Sequence, residues 1–255
     1  VLNIVVPLAG LGSRFVKANY ILPKPFIDVC GKPMIQHVVE NLMPHEPHRF
    51  IFIARKEHEE YIKQYMSFAT DVIYIDEVTE GAACTVLLAE NFIDSYDSLI
   101  IANSDQIVRY NSSSKVLRAL EFGPRYWQES NNIQDMINEA RYNCLDGMIA
   151  TFNANHSKWS YAKVDKYGFV SKVAEKRVIS NDATVGIYYY KCGHDFIEGA
   201  DNMMSKGIRV NNEFYVCPVF NEMIILKKRI GIYPIHTMFP MGTPEDLTNT
   251  IRMLK

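Results

Sequence analysis

Leu2 to Leu8 is a short apolar run rich in β-branched residues, and it ends at Ala9-Gly10. Such a run predicts a buried parallel strand followed by a tight turn. Similar runs recur at Phe50 to Ala54, Val72 to Ile75 and Leu99 to Ala102. Between them the apolar spacing lengthens. Met34 to Leu42 (behind Pro33), His58 to Tyr65 and Gly81 to Phe92 read as helices, the last with its apolar residues on one stripe. Strands that alternate with helices predict right-handed βαβ units and a mostly parallel sheet flanked by helices, an α/β fold. In such a sheet ligands lie beyond the carboxyl ends of the strands. The loop after Leu8 and the Asn103-Ser104-Asp105 stop after Ala102 are therefore where chemistry is expected.

The pattern changes in the second half. Met148 to Phe152, Tyr161 to Val164, Phe169 to Ala174 and Gly186 to Lys191 are short strand-like runs separated by turns such as Lys166-Tyr167-Gly168. They predict a smaller antiparallel sheet, as a lid or an extension of the first. Asp195 to Lys206 reads as a helix. Residues 111–145 are long, polar and helix-prone between two strands. They read as a surface helical excursion, with an oligomer contact or an active-site flap as the alternative.

Composition narrows the class. The chain has 255 residues, 48% hydrophobic and 22% charged, which suits a globular protein able to bury a core without disulfides or structural metals. A net charge of -2 argues against broad binding to nucleic acid or to an anionic membrane. Cys30, Cys84, Cys144, Cys192 and Cys217 show neither zinc-finger nor CxxC spacing, so they read as reduced thiols of a cytoplasmic protein. No apolar run reaches the length of a membrane span. Val1 to Gly10 lacks a basic leader region and a cleavage site, so it reads as a strand and not as a signal peptide. The missing initiator Met suggests trimming, or excision from a longer chain.

The first chemical motif is Leu8-Ala9-Gly10-Leu11-Gly12-Ser13-Arg14-Phe15. Glycines let the backbone approach a phosphate and aim N–H groups at it, and Arg14 has the fork to grip two phosphate oxygens. A dinucleotide-binding turn requires a third glycine where Phe15 stands. A P-loop requires a Lys-Ser or Lys-Thr that is absent. The second motif, Pro23-Lys24-Pro25-Phe26, holds a lysine between two prolines on a stiff segment, and Gly31-Lys32-Pro33-Met34-Ile35 follows.

From Leu8 to Ile35 these motifs and their spacing resemble the sugar-phosphate nucleotidyltransferases, the NDP-sugar pyrophosphorylases, and the similarity runs along nearly the whole chain. The resemblance implies a Rossmann-like domain over 1–255. Residues 1–110 would be the NTP-binding half, 111–145 a helical insertion and 146–255 the acceptor-binding half. It implies that Leu8, Ala9, Gly10, Gly12 and Ser13 hold the nucleotide with Gly81, whose Gly81-Ala82-Ala83 resembles the family's base-facing helix start. Arg14 and Lys24 would be catalytic, and Asp105 would bind Mg²⁺. Gly147, Glu175, Lys176 and Glu213 would meet the acceptor, within Asp146-Gly147, Glu175-Lys176-Arg177 and Glu213-Phe214-Tyr215, the last with Asn212 in place of the family's glycine. Asp76 falls near a base-reading position of the family but reads as an exposed strand-end carboxylate. Pro240 stands where the family's second metal-binding Asp is expected. Asp246, inside the following helix, reads as a capping or surface charge. Most of Trp159, Tyr161, Tyr188, Tyr189, Tyr190 and Tyr215 read as strand packing.

The implied reaction is in-line attack of an acceptor phosphate oxygen on the α-phosphorus of an NTP, with pyrophosphate leaving and no general base needed. The implied partners are an NTP and a small phosphorylated acceptor, with no nucleic acid and no membrane; a homo-oligomer is left open. Three alternatives stand beside it. They are a cytidylyltransferase-type enzyme for a non-sugar phosphate, a glycosyltransferase of related fold, and a nucleotide-binding regulatory subunit.

Overall fold

A computed structural model describes residues 1–69, 71–110 and 132–255. Its elements run β1 (Leu2–Pro7), α1 (Ser13–Lys17), a 3-10 turn (Lys24–Phe26), β2 (Asp28–Val29), β3 (Lys32–Pro33), α2 (Met34–Asn41) and β4 (His48–Arg55). A second 3-10 turn (Lys56–His58), α3 (Glu59–Tyr65), β5 (Asp71–Ile75), α4 (Ala82–Leu87), α5 (Glu90–Ile93), β6 (Leu99–Ala102) and β7 (Gln106–Arg109) follow. After the break come α6 (Ile133–Tyr142), β8 (Gly147–Asn153), β9 (Tyr161–Val164), β10 (Val170–Ala174) and β11 (Asp182–Tyr190). The chain finishes with α7 (Gly193–Ser205), α8 (Val219–Ile225), β12 (Ile230–Pro234), β13 (Thr237–Pro240) and α9 (Pro244–Leu254).

One nine-stranded sheet organises the molecule. β1 lies between β4 and β6 and is parallel to both, and β5 extends the row beyond β4. β11 then pairs antiparallel with β6, and β8 with β11. β12 closes that end in parallel with β8, while the β9–β10 hairpin joins the first residues of β11. The antiparallel strands of the second half thus extend the parallel sheet.

The parallel strands read as unbroken apolar runs because both faces are covered. Ile4, Val6, Phe52 and Ile100 face a core shared with Met34, Ile35 and Val38 of α2 and Ile133, Met136 and Ile137 of α6. Val5, Ile51, Ile53 and Ile101 face the other core, with Ala83 and Val86 of α4, Phe196 and Met203 of α7 and Phe220 of α8. Each large side chain so buried contributes roughly 1.5–3 kcal/mol.

Helix Ile133–Tyr142 lies within the expected 111–145 excursion; residues 111–131 of it are outside the described residues. Asn132 caps α6 by accepting from the Gln134 amide at 3.0 Å. The helix expected over Gly81 to Phe92 is divided. Leu88 and Ala89 donate to Thr85 and Val86, three residues back, and this tightened turn separates α4 from α5. Tyr161, Tyr188, Tyr189 and Tyr190 are buried in β9 and β11, as strand packing requires. Among the described residues no helix is long and apolar enough to cross a membrane.

Candidate active site

The sheet reverses direction of growth at β1 and β6, so a crevice opens beyond their carboxyl ends. Leu8 is fixed at its floor, its amide donating to Ile53 O at 2.7 Å. Gly12 then turns the chain with φ +59°, and Phe15 and Val16 donate back to its carbonyl to start α1. Gly10, Leu11, Ser13 and Arg14 stay exposed. A Cβ on Gly12 would lie 3.3 Å from the Lys24 Cβ, so the loop rests against that lysine.

Lys24 is held from behind. Pro23 sets the entry to the 3-10 turn, and Phe26 is buried against Tyr61 and Tyr65 in stacked contacts. Its Nζ donates to Asp105 Oδ2 at 2.5 Å, across the mouth of the crevice. Asp105 lies just past β6. Its carbonyl accepts from Met241 at 2.7 Å, and a Cβ on Gly242 would lie 3.1 Å from Oδ2. Gly12, Lys24, Asp105 and Gly242, far apart in sequence, therefore share one small volume.

Asp105 offers a carboxylate with space beside it that a side chain at 242 would fill. Among the described residues no group of three or more His, Cys, Asp or Glu gathers. Pro240 pairs with Gln106 in the β13–β7 ladder next to Asp105 and brings no carboxylate. Asp246 is engaged elsewhere: its amide donates to the Thr243 cap at 3.0 Å and its carboxylate accepts from Lys158 at 3.2 Å. A single carboxylate fits Mg²⁺, which keeps several waters and takes its other ligands from phosphates.

Among the residues expected to meet the acceptor, Glu175 accepts from Ser160 Oγ. Burial pushes its carboxyl above the ordinary range and Glu213 adds to this, while Ser160 and Lys176 oppose it. Lys176 has φ +51°, and its Nζ donates to the Tyr215 hydroxyl and sits 4.5 Å over that ring. Glu213 is exposed at the tip of a turn where Asn211 and Asn212 both have positive φ. That turn is bonded to the start of α4: Phe214 donates to Glu80 O at 2.8 Å, and Ala83 donates to Phe214 O at 3.0 Å. Gly81, with φ +135°, lies against the Phe214 backbone, so Gly81 and Glu213 are brought side by side.

Gly147 is a correction. It pairs with Tyr190 and Ile230 at the end of the sheet remote from the crevice, the end where β6 begins. A Cβ there would meet Phe220 and Ile230, so its missing side chain serves core packing and not an acceptor. Asp76 is exposed just past β5, as expected.

Two residues go unnoticed in the sequence, and a third, Tyr215, reads there as strand packing. Ser160 and Tyr215 are the partners of Glu175 and Lys176. Arg55 ends β4 and lines a cavity of about 260 Å³ with Gly10, Gly12 and Lys24. Its place at a strand's carboxyl end was a usable signal.

The fold and its crevice define an α/β protein whose candidate site lies at the switch point of a mostly parallel sheet. Residues 5–204 match the nucleotidyl transferase family, and the chain belongs to that family. The chain is 25% identical over 198 residues to a mannose-1-phosphate guanyltransferase of Emericella nidulans, covering 72% of this chain and 48% of that one. It is 29% identical over 107 residues to the bifunctional protein GlmU of Methanococcus maripaludis, covering 42% of this chain. The match spans about a quarter of that relative's length, 25%. In structure it is similar to a nucleoside-diphosphate-sugar pyrophosphorylase from Vibrio cholerae, with a TM-score of 0.74 at 23% identity over 98% of this chain and 99% of that one. It is also similar to a UDP-glucose pyrophosphorylase complexed with UDP-glucose, with a TM-score of 0.73 at 16% identity over 100% of this chain and 98% of that one. At these identities the two structures establish the fold.

Proposed function

We propose that the protein couples an NTP to a phosphorylated acceptor, a sugar 1-phosphate, and releases pyrophosphate. The observation that carries the reading is the Lys24–Asp105 pair, set against Gly12 at the tips of β1 and β6. It puts one fixed cation and one carboxylate where a triphosphate on the glycine loop would lie. The relative named for mannose 1-phosphate supports the choice of acceptor class.

In this reading an acceptor phosphate oxygen forms a bond to the α-phosphorus as the bond to the bridging oxygen breaks. The electron pair leaves on pyrophosphate. The nucleophile is already an anion, so positioning and charge neutralisation carry the catalysis. Exposed Gly10 and Ser13, with half-buried Gly12 between them, supply backbone N–H groups, and Arg14 grips the departing phosphates. Lys24 and Lys176 lessen the repulsion between two anionic reactants. Glu175 and Glu213 take hydroxyl groups of the acceptor, with Ser160 fixing the Glu175 carboxylate. Asp105 would hold Mg²⁺, which when bound neutralises charge on phosphate oxygens.

The test is pyrophosphate release with Mg²⁺, crossing ATP, CTP, GTP, UTP and dTTP with sugar 1-phosphates and non-sugar phosphates. Acceptor-dependent release with one pair is expected. Release of nucleoside diphosphate instead, or no release from any pair, sinks the reading.

A further inference from the structure

Two half-buried asparagines outside the motifs make the same contact in different places. The Asn41 carboxamide accepts from Val108 N at 2.9 Å and donates to Val108 O at 2.9 Å. The Asn221 carboxamide accepts from Val173 N at 2.9 Å and donates to Val173 O at 3.0 Å. In an antiparallel strand the N–H and C=O of one residue point to the same side. β7 pairs with β13 on one edge, and β10 is the last strand of the main sheet. Each valine thus turns both groups to an edge that no strand covers. A carboxamide carries the donor and the acceptor of a peptide group, so each asparagine stands in for one residue of a missing strand. Water can satisfy the same two groups, but a side chain anchored in a helix also fixes where they lie.

The two contacts follow one plan. Asn41 ends α2, whose first amide, Met34 N, donates to Ile27 O at 2.9 Å, directly after the 3-10 turn that carries Lys24. Val108 lies three residues beyond Asp105, in β7. The segment that carries Lys24 therefore grips the strand that follows Asp105, behind the Lys24–Asp105 bond. Asn221 lies in α8, six residues beyond Tyr215, and Val173 lies three residues before Lys176. The segment that carries Tyr215 therefore grips the strand that leads to Lys176, behind the Lys176–Tyr215 bond. Each of these side-chain pairs is one of two ties between the same two segments. A single tie at the tip leaves the segments free to pivot, and a second fixes their orientation. The helices themselves are held by apolar burial, through Ile35, Val38 and Val39 of α2 and Val219, Phe220 and Met223 of α8. Loss of a carboxamide therefore releases the strand and keeps the helix.

We infer that Asn41 and Asn221 are positioning residues of the site, Asn41 for the Lys24–Asp105 pair and Asn221 for Lys176. The inference rests on the nucleotidyltransferase reading for the use of those charges, and its first test needs no turnover. NMR of the full chain carrying isotope-labelled lysine would follow the side-chain signals of Lys24 and Lys176, assigned with Lys24→Arg and Lys176→Arg. Asn41→Ala should shift the Lys24 signal and leave that of Lys176 in place, and Asn221→Ala should do the reverse. Asn41→Asp and Asn221→Asp keep the acceptor for the amide but set a carboxylate against the valine carbonyl, and each should move the same signal as its alanine counterpart. Asparagines that only satisfy backbone groups would be replaced by water with neither lysine disturbed. That result overturns the inference, and so does movement of both signals by each substitution.

Steady-state kinetics supply the second test. Asn221→Ala should raise acceptor KM several-fold with NTP KM within about two-fold of wild type. Asn41→Ala should lower kcat/KM for NTP several-fold and leave acceptor KM unchanged. Equal losses for both substrates in both variants overturn the inference. Wild-type protein that releases no pyrophosphate from any NTP and acceptor pair would remove the proposed reaction, and the lysine signals alone would then uphold or overturn the positioning roles.

Discussion

Replacing Gly81 by alanine should damage the site and the fold together, and the structure sets the size of the effect. Gly81 has φ +135° and ψ 172°, a region that only glycine enters readily. Forcing a side chain there costs on the order of 1–3 kcal/mol. The new Cβ would also lie 2.6 Å from Phe214 N and 2.9 Å from Phe214 C. These are backbone atoms, tied by Phe214 to Glu80 and by Ala83 to Phe214, so no rotamer change relieves the clash. Overpacking of this kind adds roughly 1–3 kcal/mol. The total is about 2–6 kcal/mol, or a displaced Asn212–Tyr215 turn. Gly168 is the control, because its φ is +86° but a Cβ there meets nothing within 4 Å. Urea unfolding of Gly81→Ala, Gly168→Ala and wild type compares a positive-φ glycine packed on backbone with one in open space. Gly81→Ala should be less stable than Gly168→Ala by at least about 1 kcal/mol and should weaken NTP binding, which Gly168→Ala leaves alone. Equal stability of the two variants would refute the reasoning.

Three further outcomes follow from the site. Lys24→Ala should slow pyrophosphate release by roughly 10²-fold or more, because it removes the fixed cation opposite Asp105; near-normal turnover would contradict its role. Glu175 has its carboxyl raised by burial above its ordinary value of 4.5, so the folded state binds its proton more tightly than the unfolded state. Its contribution is fully present below that value and is lost as pH rises through the folded pKa, so ionisation of Glu175 weakens the fold. The stability of Glu175→Gln relative to wild type should therefore improve as pH rises from about 4 towards 7, and a pH-independent difference in melting temperature would count against this. Tyr215→Phe removes the hydroxyl that accepts from Lys176 but keeps the ring beneath it. Steady-state kinetics should show acceptor KM raised several-fold with NTP KM unchanged; a fall in kcat alone would point to another role.

The parallel half of the fold was legible because buried strands announce themselves as apolar runs, as in β1 and β6. Short elements held by distant partners were not. β7 is a polar-flanked Gln-Ile-Val-Arg segment, and it is a strand only because Thr237–Pro240 pairs with it. α1 has five residues and no side-chain cap, so nothing local marks it. Lys24 and Asp105 were each readable in their own motifs, but their contact depends on the adjacency of β1 and β6, which no local pattern encodes. Gly147 is placed at the acceptor only by the resemblance of Asp146-Gly147 to a substrate-side glycine, and no local pattern tells which end of the sheet that pair occupies. Tyr215 reads as strand packing because no local pattern shows that its ring and hydroxyl meet Lys176.

The pairing of β11 with β6 limits how such a protein can be rebuilt. Leu99, Ile100, Ile101 and Ala102 are at most 1% exposed, with β1 on one side and β11 on the other. A chain severed after residue 110 would leave one flank of β6 as a bare apolar edge, prone to stick to other strands. Neither half is thus a cassette that recombination can shuffle intact.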